Sequence, residues 1–198
     1  MRSLKYPYLV AAFLVINLMA LTPSVHALDD KRNGFYLAFG GGGQATRLDF
    51  DSRLPIFTEE RYVSGDGYGF ALQLSIGGAF GNRFAIAGTH QITRYRVDGD
   101  EYHTFLLGVT GIHWFRSSRP SLYIATTLGR QSVRNDSFGG IFSGSATGNV
   151  FRFALGYEFA NRLHLEGGLT IGEGSGIDNE GSSLDTLSTQ IIASFVWY

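Results

Sequence analysis

The sequence has no cysteine and only 4 prolines in 198 residues, which excludes a disulfide scaffold and a collagen-like chain. Charge is also scarce: 17% of residues are Asp, Glu, Lys or Arg, against roughly 25% in soluble chains. With 44% hydrophobic residues, that composition excludes an intrinsically disordered chain. Beyond the N-terminus no apolar run is long enough for a spanning helix, and the mean hydropathy of +0.02 is too low for a helical membrane bundle. A membrane-like deficit of charge therefore accompanies a soluble-like average. Glycine, at 27 residues, is abundant.

The N-terminal stretch has three parts. Arg2 and Lys5 precede an apolar run from about Leu9 to Leu21, and Val25 and Ala27 then occupy small-residue cleavage positions. This pattern predicts a secretory signal peptide over 1–27 and a mature domain over 28–198. A membrane anchor would need about 20 apolar residues, and Asn17 interrupts this shorter run. Removing Arg2 and Lys5 leaves the 17 acids in excess and a single lysine, Lys31.

Eight segments of alternating character fill the rest. In Gly67 to Phe80, Tyr68, Phe70, Leu72, Leu74, Ile76 and Phe80 share one parity, and Gly69, Ala71, Gln73, Ser75, Gly77 and Ala79 the other. The same division runs through Val150 to Phe159 and Leu163 to Ile171. It is weaker over Gly34 to Ala45, Arg83 to Arg96, Tyr102 to Phe115, Ser121 to Gln131 and Thr186 to Tyr198. A period of two predicts strands, each with one apolar and one small or polar face. Connections alternate long and short, with long ones expected at 47–66, 132–148 and 173–185. The Asp98 to Glu101 connection alone breaks the rule.

Soluble barrels alternate too, but their second face carries Lys, Glu and Asp for water. Here the second face is Gly, Ala, Ser, Thr and Gln, which suits a narrow polar interior and leaves the apolar face for lipid. Charge placement agrees. Of the 17 acids, 13 lie in or beside the odd-numbered connections, from Asp49 to Asp185, while the even turns carry Arg83, Arg116, Arg119 and Arg162. These features predict an all-β, eight-stranded antiparallel up-and-down transmembrane barrel with acidic extracellular loops and short basic periplasmic turns.

The opening strand GFYLAFGGGG after a signal peptide, together with the aromatic end SFVWY, resembles the small eight-stranded outer-membrane β-barrels: the OmpA transmembrane domain, the OmpX and Ail type and the opacity-like proteins. The resemblance implies outer-membrane localisation. It also implies that Tyr198 is the terminal aromatic read by the barrel-assembly machinery. One departure is visible. Ser194 and Gln190 share the parity of Tyr198, whereas Trp197, Phe195, Ala193 and Ile191 form the better apolar row.

Three groups of residues are candidates for chemistry. If Ala160–Asn161–Arg162 forms a turn, Glu158 faces His164, Gly156 faces Glu166 and Arg152 faces Thr170 on the inner side. Gly156 would then leave room for Arg152 and Glu166 to meet. This set reads either as a gate in a narrow lumen or as a neutralising network that lets a polar interior pack. Arg47, Arg94, Arg96, Arg130 and Arg134 fall at the extracellular strand ends, where guanidiniums suit lipopolysaccharide phosphates or form an ordinary solvated rim. His90 lies on the lipid-facing parity. A lipid A deacylase of the His–Ser kind would want serine where Ile92 stands, so no catalytic residue is assigned. No cofactor, metal or nucleic-acid partner is expected: the acidic 173–185 segment lacks EF-hand spacing, and Gly40 to Gly43 is not followed by Lys-Ser/Thr.

The expected role is a surface-exposed structural or interaction scaffold. Its partners would be outer-membrane lipids, the assembly machinery and a host or cell-surface partner met through the loops, where Phe138, Ile141 and Phe142 suit either partner contact or the lipid interface. A narrow channel using Gln73, Gln91, Arg152 and Glu166 and a lipid A-modifying enzyme are the alternatives.

Overall fold

The computed structural model describes residues 32–53, 60–135, 145–159, 162–176 and 183–198, with the side chains of 50–53, 60–63, 135, 145 and 176 left aside. The expected signal peptide, residues 177–182 of the 173–185 connection and Phe138, Ile141 and Phe142 lie outside the described residues.

Eight strands form a closed barrel: β1 (Gly34–Arg53), β2 (Glu60–Phe80), β3 (Phe84–Val97), β4 (Asp100–Trp114), β5 (Ser121–Asn135), β6 (Ser145–Glu158), β7 (Leu163–Gly176) and β8 (Ser183–Trp197). Each pairs antiparallel with its sequence neighbour, and β1 closes on β8 from Leu37↔Trp197 to Asp51↔Ser183. No helix occurs among the described residues. The up-and-down topology is the one the alternation predicts.

The strands are longer than expected at one end. The connection anticipated at 47–66 is mostly paired, with β1 and β2 in register through Arg53↔Glu60. Likewise β5 reaches Asn135 and β7 reaches Gly176. Backbone pairing needs no apolar side chain, so hairpins continue above the lipid, where the apolar pattern has already stopped. The short third connection has its own cause. Val97 pairs with Asp100, leaving Asp98 (φ 51°) and Gly99 (φ 93°) as a two-residue turn. Positive φ at both central positions is the type I′ geometry that Asp-Gly favours.

Burial alternates without a break along β8 from Ser183 to Val196. Starting from the short turns, outward positions are apolar or glycine apart from His90, His113, Thr126 and Thr189. The band ends at one polar residue per strand: Arg47, Asp66, Arg94, His103, Arg130, Asn149, Glu173 and Asp185. On β7 it runs from Leu163 to Ile171, close to the roughly 9–11 residues a tilted strand needs to cross a bilayer. Phe35, Phe80, Phe84, Phe115, Phe159 and Phe195 stand exposed at the short-turn end, where an aromatic girdle belongs. A continuous apolar exterior of this height is one that lipid, rather than water, solvates.

Leu155 lies midway along the band and Glu173 at its edge. Leu155→Arg is expected to cost about 2–4 kcal/mol and Glu173→Arg about 0–1 kcal/mol. Urea unfolding from phospholipid vesicles measures both, and equal costs would contradict the placement of the band.

Candidate functional site

The interior is built in layers. At the short-turn end Glu158, the last residue of β6, is fully buried and acts as the hub. Arg32, just before β1, donates Nε to Glu158 Oε2 at 2.6 Å. The same guanidinium donates to the carbonyls of Asn82 and Arg116 at 2.8 Å and of Ser118 at 3.2 Å, and lies over the Trp114 ring at 5.0 Å. One side chain therefore joins the β2–β3 turn, the β4–β5 turn and the end of β6. Arg119 binds the other Glu158 oxygen at 2.7 Å and covers the Tyr198 ring at 4.9 Å. Tyr198 donates to Glu158 at 3.3 Å and meets His164 Nε2 at 3.1 Å.

Aromatic rings form the next layer. Trp114 packs edge-on to Tyr198 at 5.7 Å, Tyr36 approaches Tyr198 at 5.8 Å, and the His164 ring lies 4.9 Å from Tyr123. Above them Arg152 is paired with Glu166, and Tyr123 donates to the second Glu166 oxygen at 3.1 Å. The Gln190 amide lies between Gln91 and Arg152, with its oxygen turned to accept from the Arg152 guanidinium. Ser75, Thr89, Thr110 and Thr127 share a chain of hydrogen bonds at 2.8, 2.7 and 2.7 Å across four strands. At the opposite end Leu48, Tyr95, Val97, Tyr102, Val133 and Leu184 close the interior, with Tyr95 and Tyr102 stacked at 5.7 Å. Between these ends lies a cavity of about 10 Å³ lined by Gln73, Arg152, Glu166 and their neighbours, space for about one water.

The structure brings Arg152, Glu158, His164 and Glu166 into this interior in the register expected, with Glu158↔His164, Gly156↔Glu166 and Arg152↔Thr170. The expected use of Gly156 needs correcting. A Cβ there would fall 2.2–2.5 Å from the Tyr123 ring, so the space holds an aromatic ring rather than a gap for the ion pair. Tyr198 faces these interior groups, while Phe195 and Trp197 pair their rings at 4.6 Å along the other parity.

Sequence reasoning missed Arg32, Trp114 and Tyr123 as members. A signal for Arg32 existed. An inner-parity carboxylate at a strand end, Glu158, needs a cation, and Arg32 precedes a strand that starts at the same end.

On the rim the five arginines divide. Arg47, on β1, lies 3.7 Å from Asp49 and opposite Asp66. The other four share the outward face of β3 and β5. Arg94 and Arg96 approach Glu101 at 2.5 and 3.8 Å, and His103 meets the same carboxylate at 3.0 Å. Hydrogen bonding from Arg94 lowers the Glu101 carboxyl from 4.5 to about 2, with His103 adding to the effect. His90 faces outward with Leu74 and Leu107 as its cross-strand partners.

Removing one partner of a buried ion pair typically costs about 3–5 kcal/mol, so Glu158→Ala should lose that much stability in vesicle unfolding. Combined with Arg32→Ala it should lose clearly less than the sum; additivity within about 0.5 kcal/mol would contradict a shared hub. Glu101 lies beyond the apolar band, one pair below the Asp98–Gly99 turn. Because its folded value is depressed, its contribution is fully present above pH 4.5 and is lost as pH falls through about 2. A ¹³C-carboxyl titration should show a midpoint near 2, and a midpoint at 4.5 would exclude the pairing with Arg94.

No family model and no curated protein matches the chain. Among solved structures it is similar to OprG from Pseudomonas aeruginosa, at 9% identity over 85% of this chain and 98% of that one, TM-score 0.50. It is also similar to Neisserial surface protein A (18% identity, 82% and 95% covered, TM-score 0.49) and to Ail, the attachment invasion locus protein of Yersinia pestis (14%, 82% and 99%, 0.49). At such identities the likeness is one of fold. The chain has the fold of the small eight-stranded outer-membrane β-barrels.

Proposed function

We propose that the protein is an integral outer-membrane scaffold that presents acidic loops at the cell surface and conducts no solute. The observation carrying this reading is the filled lumen. Arg32, Glu158 and Arg119 occupy one end, an apolar cluster around Tyr95 and Tyr102 the other, and the cavity between is about 10 Å³. A hydrated ion needs a continuous polar path several waters wide, and rings of Trp114, Tyr36 and Tyr198 stand across it. An eight-strand barrel has room for side chains or for a passage, not for both.

Acids concentrated in and beside the odd connections support the second half of the reading. Loops positioned by a rigid frame are where binding residues collect, and the frame here is cross-linked from Arg32 to Gln190. The partner would be a cell-surface molecule able to meet a negatively charged loop set.

Full-length protein reconstituted in a planar bilayer is expected to give no current above background, and reproducible unit steps would overturn the scaffold reading. Deleting residues 136–144 should leave heat-modifiable gel migration unchanged while reducing adhesion of cells that display the protein. Loss of insertion together with adhesion would count against the loops as the working part.

A further inference from the structure

Arg32 precedes β1, yet its side chain is fully buried at the short-turn mouth of the barrel. Gly34, at φ 103°, stands between Arg32 and the body of the strand, and a Cβ there would meet nothing within 4 Å. The glycine therefore supplies a backbone angle rather than room. It is the joint between the wall and the short arm, Arg32–Asn33, that leads into it.

What receives the arm is built from parts far apart in sequence. Four of the five guanidinium N–H groups are taken: Nε by Glu158, Nη1 by the carbonyls of Asn82 and Arg116, and Nη2 by the carbonyl of Ser118. The Trp114 ring covers the guanidinium at 5.0 Å. A carboxylate, three carbonyls and an aromatic face suit the planar fork of a guanidinium, whereas an ammonium offers three donors from a single nitrogen. These acceptors also have supports of their own. The Trp114 N–H bonds the Arg83 carbonyl at 2.8 Å, the Arg116 N–H bonds the Ser121 hydroxyl at 3.0 Å, and Arg119 holds the other oxygen of Glu158. The receiving groups thus stay in place, with Glu158 paired, when Arg32 is taken away.

We propose that the short-turn mouth of the barrel is a guanidinium-binding site, and that the arm ahead of β1 is a latch that fills it with Arg32. Seated, the latch shields the cluster of Trp114, Tyr36 and Ala85; withdrawn, it admits water to that cluster. The ligand class is an alkylguanidinium, and the chain supplies its own. This assignment deepens the closed-lumen reading by naming what closes one end, and the two fail separately. Unit current steps from the wild type would overturn the closed lumen, whereas protection of the mouth without Arg32 would overturn the latch.

The test uses the full chain refolded in neutral detergent, with heat-modifiable migration confirming the fold of each variant. Ala85 is fully buried, and the chain has no cysteine, so Ala85→Cys is a single reporter for a water-soluble maleimide. Adding Arg32→Ala should speed its labelling at least about tenfold, the loss of charge-assisted hydrogen bonds that oppose local opening. A short tether holds its ligand at an effective concentration on the order of millimolar, so ethylguanidinium at tens of millimolar should restore protection. Ethylammonium at the same concentration should not, and Arg32→Lys should protect less than arginine does. Gly34→Ala, which leaves every receiving group intact and strains the joint, should also speed labelling. If Arg32→Ala refolds poorly, the heat-modifiable fraction recovered by ethylguanidinium becomes the readout. Unchanged protection in Arg32→Ala would overturn the proposal, as would equal rescue by ethylammonium or no rescue by ethylguanidinium in either readout.

Discussion

Inside lipid, every backbone N–H and C=O must be satisfied by the protein itself, and the pairing of β1 with β8 meets that requirement by leaving no edge. The rest of the structure follows from this closure. Eight tilted strands enclose too little volume for large side chains on every inward position, so the inner parity is dominated by Gly, Ala, Ser and Thr. The outer parity, facing hydrocarbon, takes Leu, Ile and Phe. Their cancellation explains a mean hydropathy near zero in a chain whose surface is largely apolar.

Closure also creates the interior problem that the charged residues solve. A narrow space lined by small residues still needs filling, and polar groups placed there need partners. Arg152 with Glu166, and Glu158 with Arg32 and Arg119, fill volume and satisfy one another. Arg32 has a special position because it precedes the strand that closes the barrel. Its bonds to the β2–β3 turn, the β4–β5 turn and the end of β6 tie the start of β1 to three other elements at the short-turn end.

Much of this was legible in the sequence, and the reasons differ between elements. Strand number and topology came through because alternation on β2, β6 and β7 is strong and the acids sort to alternate connections. The inner placement of Arg152, Glu158, His164 and Glu166 followed from parity and one short turn. Strand ends did not come through. Above the lipid, both faces are polar, so β1 and β2 lost their signature near Arg47 although they stay paired to Arg53 and Glu60. Contacts between distant strands were equally hidden: nothing local says that the Tyr123 ring occupies the space beside Gly156, or that Arg32 reaches the turn at Asn82. Grouping the rim arginines into four and one needed the register of β4, which places Arg94 and Arg134 on either side of His103.

The central claim is that the apolar parity faces lipid and the small parity faces a filled interior. Because the chain has no cysteine, a single introduced thiol reports its own surroundings. Ala154 is buried and Leu155, the next residue on β6, is 52% exposed. In proteoliposomes, Leu155→Cys should react with a membrane-soluble maleimide and not with a water-soluble one, and Ala154→Cys should react with neither. Labelling of Ala154→Cys by the water-soluble reagent would mean an open, hydrated lumen and would contradict the account.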